Sequence, residues 1–422
     1  MVCFNSILID FGVKLCCIYK SILSFVVGEN PLPLGDGMSL VSVYQRTSVC
    51  YNISMNKAIK YRLYPTKEQI EYFQKCFGCC RFVYNQALNW RISAYKADGT
   101  SLNYNDTAFG LTALKHQFTW LKEVDSIALQ QSLRHLDSAY NSFFKSKGGF
   151  PKFKSAKHSR KTYTTINQNG TVSISDNSIK LPKIGTVKAK IHRQPLSDWK
   201  LKTATISMDS DGKFYVSCLF EFDKLIYVVP KSDNAIGLDY KSDGLYMDSN
   251  GNIGSNHKYF RESHTKFAKE QRKLKHKTVG SNNYRKQQLR INRIHKHIAN
   301  QRLDNLHKLS TEIANQYDVV CVESLNMRLL SNKGFGNGKA TMDNGYGMFL
   351  NMLEYKLADR GKYFIKVDKW FPSTQLCSCC GSRKKLALNE RVYKCKCGIS
   401  IDRDLNSAIN IKNEGLRLLK LA

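Results

Sequence analysis

Acidic side chains are scarce in this 422-residue chain: 34 Asp and Glu stand against 65 Lys and Arg, a net charge of +31. A surface so unbalanced repels itself, which excludes a protein that works without a polyanionic partner. Nucleic acid and an anionic membrane are the two candidates. Residues 1–54 carry none of the excess, because Asp10, Glu29 and Asp36 cancel Lys14, Lys20 and Arg46; it recurs along the whole of 55–422. A membrane-binding basic tail would be a single block, so the distribution selects nucleic acid.

Long apolar runs are lacking too. The opening "MVCFNSILIDFGVKLCCIYKSILSFVVG" is broken by Asp10, Lys14 and Lys20, so it holds no clean span of about 20 residues. It has no basic n-region and no small-residue cleavage site, so a secretory signal is not expected. Met55 then opens "MNKAIKYRLYPT", a proper strand start, so 1–54 is expected to be a dispensable extension. No internal repeat is visible, and no Ser/His/Asp or Cys/His arrangement stands out. "GFGNGK" at 334–339 does not fit the phosphate-loop pattern; it reads as a mobile lid beside Glu323. A disulfide framework is missing as well. Of 14 cysteines, five crowd into 377–397 as "CSCCG" and "CKC", which is metal-ligand spacing. Cys218 and Cys321 sit singly in apolar runs, as small buried hydrophobes do. Together these point to a reducing compartment.

What is present is a globular composition, 42% hydrophobic and 23% charged, long enough for two or three domains. Residues 57–64 alternate as a half-buried strand. Thr66 and Gln69 form a capping-box pattern, and Ile70, Phe73, Phe77, Cys80, Val83, Tyr84, Ala87 and Leu88 recur with helical period. Further helices are expected over 111–121 and 126–146, the latter with Ile127, Leu133, Leu136, Tyr140 and Phe143 on one side. Short alternating strands from about 160 to 230 predict a small barrel, with the helical block as an insertion. Beyond 233 the order is strand "NAIGLDY", a hairpin strand with an Asn-Gly turn, and a basic helical hairpin over 262–316 broken at 280–283. Its second arm places Ile291, Ile294, Ile298, Leu303, Leu306, Leu309 and Ile313 roughly on one face. Its basic runs suit phosphate contact. Strand 317–323, helix 343–359, strand "KYFIKVD", the cysteine cluster and a helix from about Asp404 complete the chain. This order is compatible with a ribonuclease-H-like α/β fold.

Asp239 and Glu323 each end an apolar strand, where a charge is costly unless paired or metal-bound. Asp404, in "DRDLNSAIN", lies at a helix start, where the dipole favours negative charge. Phosphodiester hydrolysis on such a fold uses two divalent cations bridged by acids, and hard cations such as Mg²⁺ take carboxylate oxygens. Each acid alone has a plainer explanation: a strand end entering solvent, or a helix N-cap. Their joint order makes the catalytic reading competitive. Cys377 and Cys380 are spaced C-x2-C, Cys395 and Cys397 C-x-C, each pair followed by glycine, which suits a closed, structural tetrahedral Zn²⁺ site. Cys379 competes with Cys380, and spacing does not choose between them.

"YRLYPTKEQ" with "CRFVYNQAL", "FPKFKS", "GLD", "RLDNLHKLS", "VVCVESLNM", "MLEYKLADRGKYFIKVDKWFPST", "CSCCG" and "CGISIDRDLNSAINI" resemble the TnpB family over about 55–415. These are transposon-encoded proteins related to type V CRISPR effectors and to Fanzor. The resemblance implies a wedge β-barrel (55–66 and 150–232) carrying a helical recognition lobe (67–149). A RuvC-like nuclease domain (233–422) with an inserted zinc ribbon (373–400) would follow. It implies an RNA-guided, metal-dependent DNA endonuclease with Asp239, Glu323 and Asp404 as catalytic acids binding Mg²⁺ or Mn²⁺. Cys377, Cys380, Cys395 and Cys397 would hold structural Zn²⁺. Implied partners are a guide RNA from the transposon end and double-stranded target DNA, with the transposase of the same element as a further candidate and no membrane. The expected location is the cytoplasm or nucleoid of a bacterial host, or the nucleus or viral factory otherwise, and not outside the cell. The alternatives are an RNA-guided binder that regulates without cutting and a transposase performing strand transfer. The sequence departs from the family in having Lys241 where many members have glycine, and in a second cysteine pair one residue short.

Overall fold

The structure, a computed structural model, describes residues 50–145, 148–255, 257–332, 338–387 and 389–421. The expected extension lies outside these residues apart from 50–54, and the expected lid apart from Gly338 and Lys339. Among the described residues no helix is long and apolar enough to cross a membrane. Ser54–Asp223 forms one compact unit, and a second contains Lys224–Ala422.

β1 (Cys50–Leu63), most of it in the first unit, starts upstream of the alternating stretch, so residues 50–54 of the expected extension are strand. Ile59, Tyr61 and Leu63 point inward while Lys60 is exposed, the period-two pattern of a half-buried strand. The Thr66 capping box is present and starts α1 (Lys67–Asp98), whose Phe73, Phe77, Cys80, Val83, Tyr84, Ala87 and Leu88 are all buried. The second helix is displaced from expectation. α2 spans Tyr104–Gln117 because Asn103 and Asp106 form a second capping box upstream of the apolar residues. α3 (Ser126–Phe144) buries Ala128, Leu129, Leu133 and Leu136, whereas Ile127, Tyr140 and Phe143 stay half-buried.

Six strands follow: β2 (Lys161–Ile166), β3 (Ser173–Ser175), β4 (Ser178–Leu181), β5 (Gly185–Lys190), β6 (Lys200–Met208) and β7 (Phe214–Tyr227). With β1 they form one seven-stranded sheet in the order β2-β6-β7-β1-β5-β4-β3. That order returns β1, remote in sequence, to the centre of the sheet.

The second unit is layered around a four-stranded sheet in the order β11-β10-β8-β9. β8 (Ala235–Tyr240), β10 (Val319–Glu323) and β11 (Tyr363–Val367) run parallel, and β9 (Tyr246–Asp248) pairs antiparallel with β8. Strands buried on both faces read as continuous apolar runs, as "AIGL" and "VVCV" do. Ile236, Leu238, Val320 and Val322 face one core with residues of α5 (Asn282–Gln316) and α8 (Tyr346–Ala358). Ala235, Val319 and Cys321 face the other, with Ile411 and Leu419 of α9 (Arg403–Leu421). α4 (Tyr259–Lys275) packs along α5 as the other arm of the hairpin, with Arg272, Lys273, Arg285 and Arg290 on exposed positions. Of the expected stripe on α5, Ile291, Ile298, Leu306 and Ile313 are buried, but Leu303 is 41% exposed. At 100° per residue it lies well round the helix from Ile298.

Two short helices, α6 (Met327–Leu330) and α7 (Gly338–Asn344), precede α8. The single helix expected over 343–359 is broken at Gly345, whose φ is 65°, a conformation glycine adopts without steric cost.

Candidate functional site

The pairing of β8 with β10 sets the first two acids side by side. Leu238 is opposite Val322; one residue further the same offset brings Asp239 level with Glu323, on strands about 4.8 Å apart. Level residues on parallel neighbours point to the same face of the sheet. That face is covered by α9, and two glycines let the helix in. A Cβ on Gly237 would lie 2.1 Å from the Ala408 carbonyl oxygen, and one on Gly415 would lie 2.2 Å from Cys321 Sγ. The N-terminus of α9 therefore reaches the carboxyl ends of β8 and β10, and Asp404 is in its first turn.

The N-cap explanation of Asp404 is answered by its neighbour. Asp402 Oδ1 accepts the backbone N–H of Asp404 at 2.8 Å and of Leu405 at 3.1 Å. Asp402 caps the helix, and the Asp404 carboxylate is left for other partners. One of these is Lys241, whose Nζ lies 2.7 Å from Asp404 Oδ2.

Asp239 is 8% exposed. Burial first, then the charges of Glu323 and Asp404, raise its pKa to about 8, against the pull of the nearby Ser407 hydroxyl. Burial alone raises Glu323 to about 7. Acids packed this way resist ionisation unless a cation joins them. The Tyr346 hydroxyl, wholly buried and close enough to feel both charges, has no hydrogen-bond partner among the described residues. A set of hard oxygen donors, with an unsatisfied buried hydroxyl within range of their charge, fits a hydrated divalent ion, which keeps several of its waters.

The three acids are not gathered into the shell of one ion. Among the described residues the four thiols Cys377, Cys380, Cys395 and Cys397 are the group whose donor atoms all lie within 4.8 Å of one another. The wider spread of the carboxylates would suit more than one divalent ion, with Asp239 coupled electrostatically to both other acids.

Cysteine geometry resolves the choice that spacing left open: Cys380 is in the cluster, while Cys379 is exposed and outside it. Cys377 Sγ lies 3.6 Å from Cys397 Sγ, and Cys380 Sγ 3.6 Å from Cys395 Sγ. Each pair is closed by a glycine with positive φ, Gly381 at 71° and Gly398 at 95°. The shorter C-x-C pair still forms its turn, with the Gly398 N–H donating to the Cys395 carbonyl at 3.1 Å. Strands β12 (Val392–Lys394) and β13 (Ser400–Asp402) pair antiparallel, and β13 runs directly into α9.

Several site residues escaped the sequence reading. Asn406 and Asn410, buried on α9, clasp the cysteine segment. Asn406 accepts the Ser378 N–H at 3.0 Å and donates to the Leu376 carbonyl at 2.7 Å; Asn410 donates to the carbonyls of Ser373 and Leu376. Two asparagines four apart on one helix face, inside an apolar pattern, were the available signal. Tyr346 carried none, because its place beside the sheet depends on chain that is distant in sequence.

Comparison with known proteins agrees with this architecture. Three family profiles match: a helix-turn-helix domain at 55–100, "Probable transposase" at 224–333, and a Cas12f1-like TNB domain at 346–411. The first covers the end of β1 and α1, one unbroken helix here. The cryo-EM structure of a Cas12f1–sgRNA–target DNA complex has the same fold, with a TM-score of 0.56 at 14% identity, over 85% of this chain and 98% of that one. A Streptomyces pristinaespiralis protein named "Putative RNA-guided DNA endonuclease" is 36% identical over 86% of this chain and 90% of its own. The Escherichia coli K12 protein "Putative RNA-guided DNA endonuclease InsQ" is 30% identical over 86% of this chain and 93% of its own. "TnpB-like protein L79" of Acanthamoeba polyphaga mimivirus is 28% identical over 32% of this chain and 27% of its own. With identity at this level sustained across nearly the whole length of the first two relatives, the chain belongs to the transposon-encoded TnpB family.

Proposed function

We propose that the chain is an RNA-guided, divalent-metal-dependent DNA endonuclease carried by a transposable element, with Asp239, Glu323 and Asp404 as its catalytic acids. The observation that carries this reading is the arrangement, at the carboxyl ends of the two central strands, of two acids level with each other and a third at the capped start of α9. The names of the two long relatives point the same way.

Mg²⁺ or Mn²⁺, when bound, would activate the attacking water and stabilise the leaving oxygen. The chain's own part is positional. Backbone pairing of β8 and β10 fixes Asp239 beside Glu323, and burial keeps bulk water from weakening their hold on a cation. The close approach of α9 at Gly237 brings Asp404 to them. Zn²⁺ in Cys377, Cys380, Cys395 and Cys397 would be structural, because four thiolates leave no open position. The first unit is read as a wedge barrel with its recognition lobe at 67–149, and 233–422 as a RuvC-like domain. Guide pairing would supply sequence specificity, while basic surfaces such as that of α4 and α5 hold the heteroduplex by its backbone.

The test is cleavage by the purified protein with its copurified RNA. Matched DNA should be cut with Mg²⁺ or Mn²⁺ and spared in EDTA. Asp239→Ala should abolish cutting and retain target binding. Vigorous cutting by that variant would remove the three-acid assignment, and guided binding without cutting by the unaltered protein would favour the regulator reading.

A further inference from the structure

The third acid of the site is already held by a cation of the chain's own. Lys241 Nζ sits 2.7 Å from Asp404 Oδ2, with the two side chains only 16% and 13% exposed. A solvated pair would mean little, but this one is enclosed and its geometry is built from behind. Asn344, 1% exposed, donates its side-chain amide to the carbonyls of Lys241 at 3.2 Å and Ser242 at 3.1 Å. The adjoining Tyr240 hydroxyl meets Thr341 Oγ1 at 3.2 Å. α7 thus fixes the stretch of backbone from which the ammonium reaches Asp404. Among the described residues the other acid within ion-pair distance of it is Asp243, at 3.9 Å and 72% exposed, a far weaker competitor for its charge.

We propose that Lys241 is a resident counter-cation for Asp404 that competes with the divalent ion for this carboxylate and so sets how readily the site loads metal. The proposal rests on the nuclease reading above. In the metal-free chain the ammonium offsets one of three crowded acids. A divalent ion that takes an oxygen of Asp404 must displace the ammonium from Oδ2 or bind against its charge. Either way the apparent affinity for metal is lower than the acids alone would give. Once displaced, the flexible lysine stem leaves a positive charge at the rim of the site.

The experiment is titration of the full metal-free chain with Mn²⁺, following free Mn²⁺ by electron paramagnetic resonance, with no nucleic acid present. Lys241→Met should bind Mn²⁺ roughly tenfold more tightly, a modest figure for removing one nearby like charge. Lys241→Arg, which keeps the charge, should not tighten. In parallel, the metal-free melting temperature of Lys241→Met should fall, since the acids lose their counter-charge, while its rise on adding Mn²⁺ should exceed that of the unaltered chain. If Lys241→Met does not fold, Lys241→Gln carries the same comparison. Binding by the neutral variant no tighter than wild type, or equal tightening by Lys241→Arg, overturns the proposal. Asp239→Ala separates the two readings. If it binds Mn²⁺ as wild type does, the acids hold no ion and the nuclease reading falls; if it loses the ion while Lys241→Met shows no gain, only the role of Lys241 falls.

Discussion

Asp402 and Asp404, two residues apart at the start of α9, have divided the tasks that one acid is often given at a helix N-terminus. Asp402 accepts the N–H groups of Asp404 and Leu405 and satisfies the helix end. Asp404, relieved of that, points its carboxylate toward Lys241. Asp402→Ala should therefore cost about 1 kcal/mol of stability through loss of the cap and lower cleavage by misplacing Asp404. Asp402→Asn, a comparable cap, should restore both. Urea denaturation alongside the cleavage assay measures the two effects; equal damage from Asn and Ala would refute the capping role.

The cysteine segment and the acid site share α9. Asn406→Ala would strip the Ser378 N–H of its acceptor and remove one of two donors to the Leu376 carbonyl. A loss of about 1–3 kcal/mol is expected for buried polar groups left unpaired. Release of zinc to a chromogenic chelator should also quicken. An unchanged release rate would show that α9 does not clasp the ribbon.

Metal analysis of two single variants tests which thiols bind. Cys380→Ser should lose zinc, and Cys379→Ser, altering the exposed thiol outside the cluster, should retain it. The opposite result would put the ligand on the wrong neighbour.

Gly237→Ala places a methyl against backbone, 2.1 Å from the Ala408 carbonyl oxygen and 2.7 Å from the Lys412 nitrogen. Backbone cannot swing aside as a side chain can, so α9 must back away from β8. Stability should drop by roughly 1–3 kcal/mol, as overpacking does, and Mn²⁺ binding should weaken with it. Thermal unfolding and the metal titration together report whether α9 carries Asp404 away.

A pH dependence is expected from Lys356, which is buried on α8 and donates to the His307 carbonyl, Ser310 Oγ and Thr311 Oγ1, each at 2.7 Å. Burial, with Arg360 adding to it, lowers its pKa from 10.5 to about 8. Between those values the unfolded chain binds more protons than the folded one, so this group's contribution to stability rises with pH across that window. Lys356→Met should flatten the rise, as read from urea midpoints at about pH 8 and pH 10.

Much of the local structure was legible because short-range physics controls it. The Thr66–Gln69 capping box started a helix where the pattern required, and "AIGLDY" and "VVCVE" became strands with acids at their ends. Element ends were read less well. Asn103 began α2 earlier than its apolar residues suggested, and Gly345 split one expected helix in two. In the cysteine cluster, spacing and trailing glycines pointed to the chelate, since ligands a few residues apart close by local turns. The choice of Cys380 over Cys379 needed coordinates, because it depends on which way each side chain points.

By itself the sequence determined a basic chain suited to a polyanionic partner, the kinds of element it forms, and which acids and thiols have chemistry to offer. Only the tertiary structure decided that Asp239 stands level with Glu323, that Asp402 frees Asp404, and that Lys241 reaches across 163 positions to hold it. Charge and periodicity are sums over neighbours in the chain and survive in one dimension. Strand register, the glycine-permitted approach of α9 and the partner of a buried carboxylate are set by segments that meet only when the whole unit packs.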